Sequence, residues 1–562
     1  MVFKEEIAGL ITKKTGLSKD KIINLIETPP SPELGDYAFP CFALSKSLKQ
    51  SPVDIASEMS SKLKADFLER AESKGPYINF FLSNEYIAKK VFEEKKKKAS
   101  GKKEIVCIES PGPNTNKPLH LGHVRNMLLG ISIRNILEGQ GKKVVSVDIV
   151  NDRGVHICKS MHAYMAEGKD KTPQSEGVKE DYFVGDYYVK YAEMEKKDPS
   201  TEKKIRELLV KWEEGDPETI KIWKRMRDWC LIGFKKTYKD FGVNIDKAYY
   251  ESDFYNYGKS IVLEGFKKGL FRKDEDGSVY IDLTDKSLGK KVLLRGDGTS
   301  IYITQDIALG KLRFDDFKMD KMIYVVGNEQ SYHFKVLFEV FKLLDFPFAD
   351  KCYHLSYGMI SLPEGKMKSR EGTVVDADDF RTKMVSLAAN EIEKKHPGIS
   401  EKEKLRRAEI IGMGAIKFFI LKYDAARDFI YNPKESLSFQ GETGPYLQYT
   451  HARIASILRK AEGNAKKIKF QKLVLEQEKR LLLKIGLFDQ VVKDAAENLR
   501  PSIIATYLIE LSQELNSYYH EVPVLKATDK DTVDARLALI RKIKNKLAEG
   551  LGLLGIEAPE EM

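Results

Sequence analysis

Apolar positions fall into three regimes along the chain. In residues 1 to about 95, Ile7, Leu10 and Ile11, then Ile22, Ile23, Leu25 and Ile26, then Ile55, Met59 and Leu63 recur at the spacing of helices with one apolar face. A Pro/Gly-marked turn, TPPSPELGDY, divides them, and the apolar run YINFFL follows at 77–82. From about 104, β-branched runs alternate with helical patterns, which predicts a parallel sheet with crossover helices. Ile105, Val106, Cys107 and Ile108 form its first strand, residues 143–150 (KVVSVDIV) the second, and Met322 to Val326 a later one. A short strand at 299–303 is expected to give way to a helix capped by Thr304. From about 385 the strand signals fade and helical periodicity dominates. The fold class is therefore α/β multidomain: an N-terminal α+β domain (1–98), a Rossmann-like parallel-sheet domain (99–380) with a mainly helical insertion at about 167–290, and a C-terminal all-α helical bundle (381–562).

Charge and cysteine usage narrow the class. The 562 residues carry a formal net charge of +10, which suits a polyanionic partner without requiring one. Cys41, Cys107, Cys158, Cys230 and Cys352 are scattered singly, with neither zinc-ligand nor CxxC spacing, so no metal site or disulfide framework is expected. Charges fall within the first six residues and no run approaches the ~18 apolar residues of a membrane span. A soluble protein of the cytoplasm is expected.

The stretch that organises the rest is 109–126, ESPGPNTNKPLHLGHVRN. A buried strand, a Pro/Gly/Asn loop and a helix opening at His120-Leu121-Gly122-His123 present backbone N–H groups and a positive dipole end to an anion. The two imidazoles add donors, and Gly122 leaves room for a flat ring against the backbone. About 240 residues on lies Lys366-Met367-Lys368-Ser369-Arg370, in a Gly/Pro-marked loop able to clamp charge on a transferring phosphoryl group. Tyr302 and Asp306 fall four apart at a helix start, and residues 446–459 interleave basic and aromatic side chains in a way that suits single-stranded RNA.

HLGH followed by KMKSR resembles the HIGH and KMSKS signatures of class I aminoacyl-tRNA synthetases, and NTNKPLHLGHVRN is similar to the arginyl-tRNA synthetases in particular. The resemblance implies a ligase that activates L-arginine with Mg·ATP and transfers it to the 3′ end of tRNA-Arg, with tRNA bound before the first step. It implies no structural metal, no editing domain, no membrane association and action as a monomer. His120, His123, Lys117 and Lys366 would be catalytic. Gly122, Gly327 and His333 would shape the adenosine pocket, with backbone at Met359 offered to adenine and Met367, Lys368, Ser369 and Arg370 also on ATP.

Tyr302, Asp306 and Gln330 match the family's arginine-binding order and spacing, joined by Glu109, Asn114 and His120. A guanidinium is a planar fork that needs a carboxylate accepting two donors, and Asp306 is that candidate. Glu109 would serve the α-amino end or share the positive charge. The words GDYAFP, GPYLQYTHARIASILRK and NSYYH point to Tyr37 at the tRNA elbow and to Tyr449, Arg453, Asn516 and Tyr519 near the anticodon. The chain departs from the pattern twice. Pro111 and Gly112 replace the family's serine or alanine positions, so no hydroxyl contact is carried over. Ser369 stands where most class I enzymes have the second lysine; Lys117 fits the known compensation, and failing that Lys368 or Arg370 carries the charge. Two other readings are a zinc-dependent cysteinyl enzyme, disfavoured by the scattered cysteines, and a catalytically silent RNA-binding paralogue.

Overall fold

The computed structural model describes residues 2–93, 103–361, 375–461, 468–527 and 529–562. The N-terminal unit packs helices α1 (Val2–Thr15), α2 (Lys19–Leu25) and α3 (Pro52–Lys62) with an antiparallel sheet of β1 (Tyr37–Pro40), β2 (Leu68–Lys74) and β3 (Tyr77–Leu82), ordered β1-β3-β2. The apolar run at 77–82 is thus the central strand, and five of its six residues are buried.

The middle of the chain is a five-stranded, all-parallel sheet. Its strands are β4 (Ile105–Glu109), β5 (Lys143–Val150), β6 (Lys247–Tyr250), β10 (Lys321–Gly327) and β11 (Cys352–Tyr357), ordered β11-β10-β4-β5-β6. Alternate residues of β4 serve opposite layers, as a strand's period of two demands: Val106 and Ile108 join one apolar core and Cys107 the other. Helix α4 (Leu121–Gly139) crosses from β4 to β5. Because chain order runs from β4 to β5 on one side and to β10 on the other, the sheet reverses direction between β4 and β10. Parallel sheets bind ligands in the crevice outside the carboxyl ends of their strands at such a switch in strand order.

The stretch at 167–290 is mostly helical but also carries strands. After helices α5 (Val155–Glu167), α6 (Glu180–Lys197), α7 (Thr201–Glu213) and α8 (Pro217–Phe241) it supplies β6, the edge strand of the central sheet. Beyond α9 (Glu251–Lys267) it begins an antiparallel sheet of β7 (Arg272–Lys273), β8 (Val279–Leu283) and β9 (Gly289–Leu294). These strands are short and partly exposed, so no long apolar alternation marks them. The strand expected at 299–303 is not formed. Ser300 makes one isolated bridge to Leu294, and α10 (Tyr302–Phe317) begins at once because Thr304 Oγ1 accepts the Ile301 N–H (3.2 Å).

Helix α11 (Ser331–Leu343) follows β10, and a two-residue strand β12 (Ile360–Ser361) follows β11. The C-terminal region is helical through α12 (Ala377–Lys395), α13 (Glu401–Leu421), α14 (Gly444–Lys460), α15 (Glu476–Gly486), α16 (Pro501–Glu521) and α17 (Lys530–Leu553). It is not wholly so: β13 (Phe429–Ile430) pairs in parallel with β12. Among the described residues no helix is long and apolar enough to cross a membrane.

Candidate active site

The crevice is built from the loop between β4 and α4. Ser110 N–H donates to Val147 O (3.0 Å) and Gly112 N–H to Asp148 Oδ1 (2.9 Å), so the loop is fastened to the end of β5. Gly112 has φ of 74°, a left-handed conformation that favours glycine. Asp148 is buried, which pushes its carboxyl up to about 7 against the hydrogen bonds from Gly112 and Tyr238. Asn114 lies exposed at the crest, its backbone bridged to Asn151.

At the start of α4 the two histidines form a closed turn. His120 Nδ1 accepts the Gly122 N–H and His123 Nδ1 accepts the His120 N–H, each at 3.1 Å, with the rings 3.9 Å apart. A ring nitrogen that accepts carries no proton, so each imidazole holds its hydrogen on Nε2 and offers it to a ligand. Burial, with Lys117 adding repulsion, lowers His120 to about 4, and burial lowers His123 well below the ordinary imidazole range. Both are neutral donors near pH 7. The flat ring lying on Gly122 is His120's own: a Cβ on Gly122 would stand 3.0 Å from His120 Cε1. That revises the expectation that Gly122 is left open for a ligand ring. Lys117 is largely buried beside the pair, and burial lowers its ammonium against the attraction of Asp376.

The second signature, with Lys366, Met367, Lys368, Ser369 and Arg370, lies outside the described residues; its flanks do not. On the far flank, Leu121 N–H donates to Val375 O (3.0 Å) and Ala377 N–H to Leu119 O (2.8 Å), pairing that segment antiparallel with the HLGH turn. On the near flank, Met359 N–H donates to Asp428 Oδ1 (2.7 Å) and Met359 O accepts from Phe429 (3.2 Å). The Met359 backbone expected to meet adenine thus already pairs within this chain, and the residue is exposed. Gly327 ends β10, where a Cβ would crowd the Glu329 carboxylate at 3.2 Å.

Across the crevice stands a cluster of carboxylates. Tyr302, 72% exposed, and Asp306 lie one turn apart on α10, and Gln330 is exposed on the turn after β10. His333, expected by the adenosine, reaches this cluster. It is the third residue of α11, which brings its Nε2 to 2.6 Å from Asp306 Oδ2. Glu109, expected at the α-amino end or sharing the positive charge, forms an ion pair with Arg313, which is fully buried two turns beyond Asp306 on α10. Burial raises the Glu109 carboxyl while Arg313 opposes the rise.

Sequence reading missed Glu251. It stands directly after β6, accepts from Gln305 Nε2 (2.7 Å) and lies 3.6 Å from Arg153. Burial lifts it to about 7, with Asp306 among the charges that raise it. The available signal was positional, an acid at the carboxyl end of a sheet strand; β6 itself went unrecognised.

Of the residues expected on RNA, three share one surface. Arg453 on α14 stacks over Tyr519 on α16 with Cζ 4.2 Å from the ring centre, and Tyr449, one turn before Arg453, is exposed. Asn516 is partly covered and donates to Tyr446 Oη (2.8 Å). Tyr37 is not on a surface. At 5% exposure it belongs to the core, because β1 pairs Tyr37 with Phe80 while Asp36 is tied to Leu82 N–H (2.6 Å) and Lys479 (2.8 Å). Gly35-Asp36-Tyr37 therefore clasps the N-terminal unit to α15.

This sheet, with its helix-start histidine turn and helical C-terminal region, agrees with the family models. Residues 86–433 match the catalytic domain of tRNA synthetases class I (R), and residues 447–562 match the DALR anticodon binding domain. Residues 1–82 match the arginyl tRNA synthetase N terminal domain. Arginine–tRNA ligase of Treponema denticola is 46% identical, with 96% of this chain and 94% of that one covered. The Bacteroides thetaiotaomicron arginine–tRNA ligase is 45% identical over 97% and 96%. Among solved structures, Thermus thermophilus arginyl-tRNA synthetase superposes with a TM-score of 0.81 at 27% identity, covering 99% of each chain. The chain belongs to the arginyl-tRNA synthetases.

Proposed function

We propose that this chain joins L-arginine to tRNA-Arg at the expense of ATP. The reading rests on one arrangement: neutral imidazole donors on the helix that follows β4, and a carboxylate paired with His333 on the helix that follows β10, the two strands between which the strand order reverses. In the first step the arginine carboxylate attacks the α-phosphorus of Mg·ATP in line, and the bond to pyrophosphate breaks. His120 and His123 donate Nε2–H to the oxygens on which charge grows, and Lys117 supplies the cation that Ser369 lacks. Lys366 and its neighbours steer the leaving pyrophosphate. Asp306, with Glu251 behind it, accepts the guanidinium fork, while Tyr302 and Gln330 border it. A lysine ammonium would leave acceptors unmatched, which gives selectivity without editing. In the second step the 3′-terminal adenosine of the tRNA displaces AMP. The face of Tyr449, Arg453 and Tyr519 holds the anticodon region, and the chain works as a monomer in the cytoplasm.

The test is charging of total tRNA with each amino acid separately, beside pyrophosphate exchange with and without tRNA. Charging by arginine alone, and exchange only when tRNA is present, is the expected result. Charging by another amino acid would overturn the assignment of Asp306, and RNA binding without charging would favour the silent paralogue.

A further inference from the structure

We propose that Arg125, two residues beyond His123, is a positioning residue that fixes the Gly358–Met359 edge against the HLGH turn. Its side chain is 1% exposed on α4. Nη1 donates to Gly358 O (2.5 Å), and Nη2 reaches the carbonyls of Ala425 and Arg427 (2.8 Å each) and Asp424 (3.2 Å). The Phe429 ring covers the guanidinium, its centre 4.8 Å from Cζ. Main-chain carbonyls, with no hydrogen-bonded carboxylate among the described residues, thus solvate a buried cation. Burial without full compensation is costly, so such a site demands a planar multi-donor group in one place.

The same peptide is gripped from its other side. Gly358 N–H donates to Ala425 O (2.9 Å), and exposed Asp428 takes the Met359 N–H. A Cβ on Gly358 would stand 2.3 Å from Asp428 Oδ1, so the approach leaves no slack. Arg125 therefore joins the helix bearing both imidazoles to the strand edge that leads toward the second signature and to the segment after α13. It thus joins α4 to two segments that each lie more than 200 residues further along the chain.

This inference rests on the functional reading above. Loss of the fork shifts the edge relative to the imidazoles and slows adenylate formation, while the arginine pocket on β6, α10 and α11 stays intact. The experiment is tRNA-dependent pyrophosphate exchange by full-length R125K, which keeps the charge but not the fork, with thermal unfolding and tRNA affinity measured in parallel. We expect kcat about a hundredfold lower, in the range a misplacement near 1 Å produces. The arginine KM and the tRNA Kd should stay within about twofold of wild type. D428A, at an exposed site, should show the same pattern with about a tenfold loss and carries the test if R125K does not fold. A folded R125K with normal kcat, a loss shared equally by arginine KM and tRNA affinity, or an unfolded R125K beside a D428A with normal kcat overturns the proposal. A wild type lacking arginine-dependent exchange overturns the functional reading and this inference together; a wild type that exchanges beside a normal R125K overturns the inference alone.

Discussion

On the α4 side of the crevice the two imidazoles are neutral and held by backbone, whereas on the side built from β6, α9, α10 and α11 carboxylates are already matched by this chain's own groups. His120 and His123 are locked by two 3.1 Å hydrogen bonds and kept uncharged by burial. Glu109 is matched by Arg313, Glu251 by Arg153 and Gln305, and Asp306 by His333. Donors aimed at a site where charge will develop stabilise it without reorganising. Burial raises the Glu109 and Glu251 carboxyls, so a partner of this chain is needed to hold each of them ionised. The partners differ in kind. Arg313 is fully buried and permanent, while His333 sits at the open end beside Asp306 and can yield to a guanidinium.

That contrast predicts which kinetic constant each side controls. The largest effect is expected from H120N, where asparagine keeps a capping acceptor but removes the Nε2–H. The kcat of adenylate formation should fall about a hundredfold or more with little change in arginine KM. D306N keeps the shape and removes the charge, so steady-state kinetics should show the arginine KM rising about fiftyfold while the ATP KM holds. If D306N instead lowers kcat alone, the division between the two sides is wrong.

A smaller effect concerns pH. His120 is lowered from 6.5 to about 4 and His123 is lowered too, so between those limits these imidazoles bind more protons in the unfolded chain than in the folded one. The imidazoles' own contribution to stability therefore falls as pH drops through that window, by at most about 1.4 kcal/mol per pH unit for each, while the raised carboxyls of Asp148, Glu251 and Asp376 act in the opposite direction. Denaturant unfolding of both proteins between pH 6.5 and 4 should show the stability of wild type relative to H120N falling as pH drops, and a constant difference would contradict a neutral, buried His120.

Legibility in the sequence followed the length and regularity of each signal. The strands at 105–109 and 143–150 and the HLGH helix carry long apolar runs, and the fold realises them where periodicity placed them. Lys247–Tyr250 is four residues between two charged helices, too short to announce itself as the sheet's edge, and Glu251 went unseen with it. Residue types marked Glu109 and Asp306 as candidate carboxylates but not their resident partners, because Glu109 meets Arg313 and Asp306 meets His333 only through the crossover. Tyr37 shows the converse: a turn with an aromatic reads alike whether the ring faces solvent or core, and strand pairing with Phe80 decides it.

The most direct test of two independent subsites is the H120N/D306N double variant, assayed beside both single variants for arginine-dependent pyrophosphate exchange with tRNA present. If the imidazole turn and the carboxylate pocket act separately, the losses in kcat/KM should multiply. A double variant no worse than the poorer single one would mean that the two sides work as one unit, and the account of a preset phosphate site facing a separately balanced arginine pocket would be wrong.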